Sequence, residues 1–110
     1  MTKGSQGRPM GFKQTRRALI EALLARRIEF EDRRDAGSKN LLYTGEVTPE
    51  FVVELLLRCT GDQHSTSRHH MDRDQIVDIF KVPNDGVRWY IKSYLVEDDG
   101  VLAIFISVHP

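Results

Sequence analysis

The spacing of hydrophobic and polar residues changes period part-way along the chain. From Phe12 to about Arg27 apolar residues recur at helical intervals. Phe12, Leu19, Ile20, Leu23 and Leu24 make one stripe, and Arg16, Arg17, Arg26 and Arg27 lie largely away from it. The next stretch, "RIEFEDR", alternates like a short strand with Ile28 and Phe30 on one face. "DAGSKN" has loop composition. "TPEFVVELLLRCT" predicts a second helix: Thr48 suits the N-cap, Pro49 the first helical position, and Glu50 the positive end of the helix dipole. Its broad apolar surface predicts substantial burial. After the polar segment "HSTSRHHMDR" the period becomes two. "QIVDIFKV" is one strand, and "VRWYIKSYLV" and "VLAIFISV" flank the turn sequence "EDDG" as a β-hairpin.

Helices first and strands last predict an α+β fold, with N-terminal helices packed on a C-terminal antiparallel sheet of three or more strands. Residues 1–11, "MTKGSQGRPMG", are Gly-rich and without period, and are expected to form a disordered arm. Residues 12–110 are expected to form a single domain, because 110 residues are too few for two. A single cysteine, Cys59, excludes an internal disulfide and favours a reducing, cytoplasmic setting. No apolar run approaches the length of a membrane span, so no membrane partner is expected.

The hairpin places side chains on faces. A turn centred on Asp98 and Asp99 pairs Val96 with Val101, Tyr94 with Ala103, Lys92 with Phe105, Tyr90 with Ser107 and Arg88 with His109. That register puts Trp89, Ile91 and Leu95 on the core side with Leu102, Ile104 and Ile106. Arg88, Tyr90, Lys92 and His109 are left together on the other. An odd-length turn with a bulge would change this register.

Charge adds an asymmetry that the net value of zero hides. Residues 1–40 carry ten Lys/Arg against five Asp/Glu (+5), and residues 41–110 carry six against eleven (−5). The basic half could track phosphate or be ordinary solvated helix faces. The polar sheet face holds two permanent cations, a phenol and an imidazole, the groups needed to bind a phosphodiester and move protons about it. Arg and Lys stabilise charge accumulating on phosphorus, and His or Tyr moves a proton. RNA supplies its own nucleophile in the 2′-hydroxyl, so such a nuclease needs neither metal nor cofactor. The competing reading is a solvated antiparallel face, which is polar by default.

"HSTSRHHMDR" contains metal-ligand types in His64, His69, His70 and Asp72, but no familiar ligand spacing, and no metal site is expected. As a loop beside the sheet it would bring Arg68 and one histidine to a phosphate; as a solvated loop it would do neither. Cys59 ends a helix without a motif that marks a nucleophile, and reads as a structural thiol. There is no P-loop, dinucleotide fingerprint or serine-nucleophile elbow.

The order of elements, together with "DIFK" and then "Y-I-K" with Tyr90 twelve residues after Asp78, resembles the MqsR-type toxins. These are small RNA-cleaving partners in bacterial toxin–antitoxin pairs, with a RelE-like fold. The resemblance covers roughly residues 13–109. It implies that Tyr90 is an active-site tyrosine and that a cognate antitoxin protein is a partner. The family's upstream catalytic lysine would fall at Ser65, its glutamine at Val77, and its C-terminal lysine at or near His109. The expectation is thus a metal-independent endoribonuclease toxin acting on single-stranded RNA. Arg68, Arg88 and Lys92 would hold phosphate, His109 and His64 or His69 would act as acid and base, and Tyr90 would orient the scissile group. The departures at Ser65 and Val77 equally suit a non-catalytic binding or regulatory module on the same fold.

Overall fold

A computed structural model describes residues 11–31 and 39–110. Residues 1–10 of the predicted arm and most of "DAGSKN" lie outside the described residues. Helix α1 spans Phe12–Ala25, strand β1 Ile28–Phe30, the single-turn α2 Leu41–Thr44, and helix α3 Pro49–Arg58. A 3₁₀ turn at Gly61–Gln63 leads into β2 (His64–Arg68), followed by β3 (Ile76–Asn84), β4 (Val87–Glu97) and β5 (Val101–His109). The class is α+β, with the helices against a five-stranded sheet of order β1-β5-β4-β3-β2. The sheet is mixed: β1 runs parallel to β5, and every other neighbouring pair is antiparallel. No helix among the described residues is long and apolar enough to cross a membrane.

Both helices end where local chemistry stops them. The N–H of Arg26, in the left-handed region at φ 61°, and that of Arg27 bond back to Leu23 and Ala22, closing α1. α3 starts at the predicted cap, with Thr48 accepting from the N–H of Phe51 at 3.1 Å. The α1 stripe is narrower than its sequence suggests. Leu19, Ala22 and Leu23 are buried, whereas Leu24 is 57% exposed because the sheet and α3 cover only one side of the helix. Val52, Leu55 and Leu56 of α3 meet Phe80, Val82, Ile91, Leu95, Ala103, Phe105 and Val108 of the sheet in one core. Ile28 and Phe30 pack against that core from β1, as their alternation predicts.

Two differences from the sequence reading matter for the site. "HSTSR" is a strand rather than a loop, pairing with β3 through His64↔Phe80 to Arg68↔Ile76. Its polar composition is that of an edge strand. The β4–β5 register also differs. The loop has three residues, Asp98, Asp99 and Gly100, with Asp99 at φ 55° and Gly100 at φ 111°, so Glu97 faces Val101 and Leu95 faces Ala103. Further along, a bulge between Lys92 and Ser93 on one side and Phe105 and Ser107 on the other admits Ile106 as an extra residue. The core therefore receives Ala103, Phe105 and Val108. Leu102 and Ile104, expected on the core side, pair with Val96 and Tyr94 on the opposite face.

Cys59 follows α3 and is buried. Burial pushes its thiol up to about 11, with the nearby Arg16 guanidinium pulling weakly the other way. The thiolate is the reactive form, so at pH 8 the folded protein should alkylate with iodoacetamide about 10²-fold more slowly than the chain in guanidinium chloride. Equal rates would show that the thiol is not held in this environment.

Candidate functional site

The sheet face away from the helices is divided along its length. At one end lie the buried apolar side chains of Val77, Leu102 and Ile104. At the other, strand alternation and pairing gather Lys81, Arg88, Tyr90, Lys92 and His109. The Asp85–Gly86 turn, with φ of 58° and 81°, closes a two-residue hairpin that sets Asn84 opposite Val87, Pro83 opposite Arg88 and Lys81 opposite Tyr90. Beyond the β5 bulge Tyr90 faces His109 and Lys92 faces Ser107. The three-residue loop and the bulge each shift the register by one residue. Together they return His109 to the predicted face, but opposite Tyr90 instead of Arg88.

The Tyr90 and His109 rings lie 5.3 Å apart, tilted by 35°. His109 Nδ1 is 2.9 Å from the Pro110 carbonyl oxygen. That oxygen only accepts, so Nδ1 carries a proton, and in the neutral ring Nε2 holds the lone pair of a base. Among the described residues Lys81, Arg88 and Lys92 take part in no ion pair. Their charge faces solvent beside the Tyr90–His109 pair.

The other histidines lie elsewhere. His64 shares the helix-side face with Phe80, its cross-strand partner. Its ring stacks on Phe80 at 4.8 Å and tilts against Phe12 of α1 at 5.6 Å. Nε2 is 2.9 Å from Asp78 Oδ1, and both side chains are nearly buried. This bond joins edge strand β2 to β3 beneath the start of α1. Asp78 stands opposite Ser93, whose hydroxyl is buried with no hydrogen-bond partner among the described residues.

His69 is only 7% exposed and ties down the segment after β2. Its Nδ1 accepts from the N–H groups of Met71 at 3.0 Å and Asp72 at 3.3 Å, so the proton sits on Nε2. Nε2 donates to Glu31 Oε1 at 2.6 Å, and the Tyr94 hydroxyl donates to the same oxygen at 3.1 Å. Glu31 follows β1 at one edge of the sheet, and His69 follows β2 at the other. The side chains of Glu31, Tyr94 and His69 therefore meet over the apolar end of the face. Tyr94 is four residues from Tyr90, or about 13 Å along the strand, so His69 and His109 do not share one phosphate. Arg68 has the register parity of His64, and its guanidinium bonds the Arg73 carbonyl at 2.7 Å.

Of the residues singled out from sequence, the structure thus brings together Arg88, Tyr90, Lys92 and His109. It separates His69 and Arg68 from them, and His64, whose ring lies on the helix side with Phe80, approaches them only as part of a cleft it lines with Lys81 and Arg88. Sequence reasoning missed Lys81; the "NDG" turn carried the signal, because a two-residue loop there fixes Lys81 opposite Tyr90. Among the described residues no three His, Cys, Asp or Glu side chains converge as metal ligands. Comparison with protein-family models, curated proteins and solved structures finds no match.

Removing the His69 ring takes a donor from Glu31 and an edge-on ring contact from Tyr94, and frees two backbone N–H groups. His69→Ala should lower stability by about 1–3 kcal/mol, measured as a shift in the urea midpoint. An unchanged midpoint would show that this bond does not hold the segment.

Proposed function

We propose that the protein is a metal-independent endoribonuclease of the MqsR-type toxin kind, acting on single-stranded RNA at the polar end of the open sheet face. The observation that carries the reading is the Tyr90–His109 pair beside Arg88 and Lys92, which have no ion-pair partner among the described residues. In this reading His109 Nε2 takes the proton of a ribose 2′-hydroxyl, whose oxygen attacks the adjacent phosphorus. Lys92 and Arg88 stabilise the charge that accumulates on the phosphoryl oxygens. The bond to the 5′-oxygen breaks, and the Tyr90 phenol is the neighbouring donor to that leaving group. The products are a 2′,3′-cyclic phosphate and a 5′-hydroxyl. A toxin of this kind is held inactive by a cognate antitoxin protein, and the open cationic face is the surface such a partner would cover.

A second reading, a non-catalytic binding module, is favoured by the engagement of His64 and His69 in buried carboxylate pairs. Those pairs leave the cationic face with a single imidazole among the residues placed there.

Cleavage of a labelled single-stranded RNA in EDTA discriminates the two. His109→Ala should reduce the rate about 10²-fold or more, with Tyr90→Phe also impaired. Equal rates for wild type and His109→Ala would sink the catalytic assignment, and RNA binding without cleavage by the wild type would select the binding module.

A further inference from the structure

Beside the Tyr90–His109 pair, toward the β2 edge, the molecule has a cleft of about 350 Å³ lined by Asp62, Gln63, His64, Ser65, Lys81, Pro83 and Arg88. We propose that this cleft is a nucleotide subsite, holding the RNA residue that flanks the one bound at Tyr90 and His109. The choice of RNA rests on the endoribonuclease reading, whereas the argument for a nucleotide comes from the lining.

Position is the first consideration. Lys81, on the cleft wall, is the direct cross-strand neighbour of Tyr90, with an expected Cα separation of about 5 Å. His109, Tyr90, Lys81 and the cleft thus follow one another across β5, β4 and β3. A chain laid perpendicular to the strands passes from the ring pair straight into the cleft.

The chemistry of the walls is the second. Lys81 and Arg88 are cations with no ion pair among the described residues, which suits a phosphate. A bare anion is a poorer match, because the Asp62 carboxylate lines the same cleft and repels it. Gln63 Oε1 already accepts from the N–H of Thr60 at 3.0 Å, and its two amide N–H donors remain to offer. Asp62 accepts, Gln63 donates, Ser65 does either, and the Pro83 ring is an apolar surface. A ligand that presents anionic oxygens at one end and a flat ring with its own donors and acceptors at the other satisfies all of them. That ligand is a nucleotide.

Fluorescence anisotropy with labelled 2′-O-methyl oligonucleotides, which lack the nucleophile, tests binding apart from cleavage. Lys81→Ala removes an exposed side chain and should leave the melting temperature unchanged. Its affinity for a hexanucleotide should fall about tenfold, with the salt dependence losing about one unit of slope. Affinity for a dinucleotide should change little, and Lys81→Arg should restore the hexanucleotide. On cleavable RNA the variant should raise KM while kcat stays within about twofold.

Wild-type hexanucleotide affinity in Lys81→Ala would overturn the subsite, even if cleavage by the wild type upheld the endoribonuclease reading. A Lys81-dependent loss of binding in a protein that cuts no RNA would uphold the nucleotide subsite and overturn that reading. Displacement of the hexanucleotide by millimolar inorganic phosphate as effectively as by unlabelled hexanucleotide would make the cleft a plain anion site. That result, or no oligonucleotide binding by the wild type, would overturn the proposal.

Discussion

The structure depends on one extra residue in β5. Side chains of a strand alternate between faces, so a single inserted residue exchanges the faces of everything beyond it. Ahead of the bulge at Ile106, Ala103 and Phe105 point to the helices and Leu102 and Ile104 to the other side. Beyond it Val108 returns to the core and His109 to the open face. Without the extra residue Val108 would leave the core and the imidazole would turn in toward it. The bulge is held from outside the hairpin: the Phe105 carbonyl accepts from the Glu31 N–H and from the Asn40 side chain, both at 3.2 Å. Asn40 is fully buried and also accepts from the N–H of Tyr43, so it couples α2 to the irregular point of the strand.

The histidines illustrate how surroundings sort residues of one type. His64 and His69 each give Nε2 to a carboxylate and are shielded by rings: Phe80 and Phe12 around the first, Tyr94 and His70 around the second. Both act as fasteners, one joining the edge strand to its neighbour and the other holding a connection across the sheet. Among the described residues the His109 ring bonds one backbone oxygen, that of Pro110, and keeps its other nitrogen for other chemistry. The same division runs along the open face, which is apolar at the end where Glu31, Tyr94 and His69 meet and cationic at the other.

Most of the fold was legible because the periodic signals were long or chemically punctuated. Thr48–Pro49 marked the start of α3, and the alternation through Ile28 and Phe30 marked β1 despite its three residues. β2 was not legible, since Ser, Thr and His alternate no hydrophobicity and its pairing is decided by β3. The bulge escaped for a different reason. β5 is apolar at nearly every position from Val101 to Ile106, so its sequence carries no record of which residues face the helices. For the site, Arg88, Tyr90 and Lys92 follow from alternation within one strand, and His109 rejoined them only because two one-residue shifts offset each other. His64 and His69 carried no sequence sign of their partners, because Asp78 and Glu31 are brought to them by tertiary structure.

The strand edges have a consequence for how this sheet meets other sheets. Along the outer side of β5, Arg27 bonds Val101 and Ala103, β1 covers residues 103–105, and Asn40 bridges to Val108. On the far side β2 is short and polar, and it stops opposite Phe80. The stretch of β3 left with one neighbour contains Pro83, which has no N–H to offer, and ends at Asn84, whose side chain bonds Arg58. A second copy approaching edge-on would find the ladder interrupted within a few residues on either side. The apolar β5, the segment most able to seed intermolecular β-structure, is thereby screened by backbone and side-chain contacts, so its hazard is confined to chains that have not yet folded.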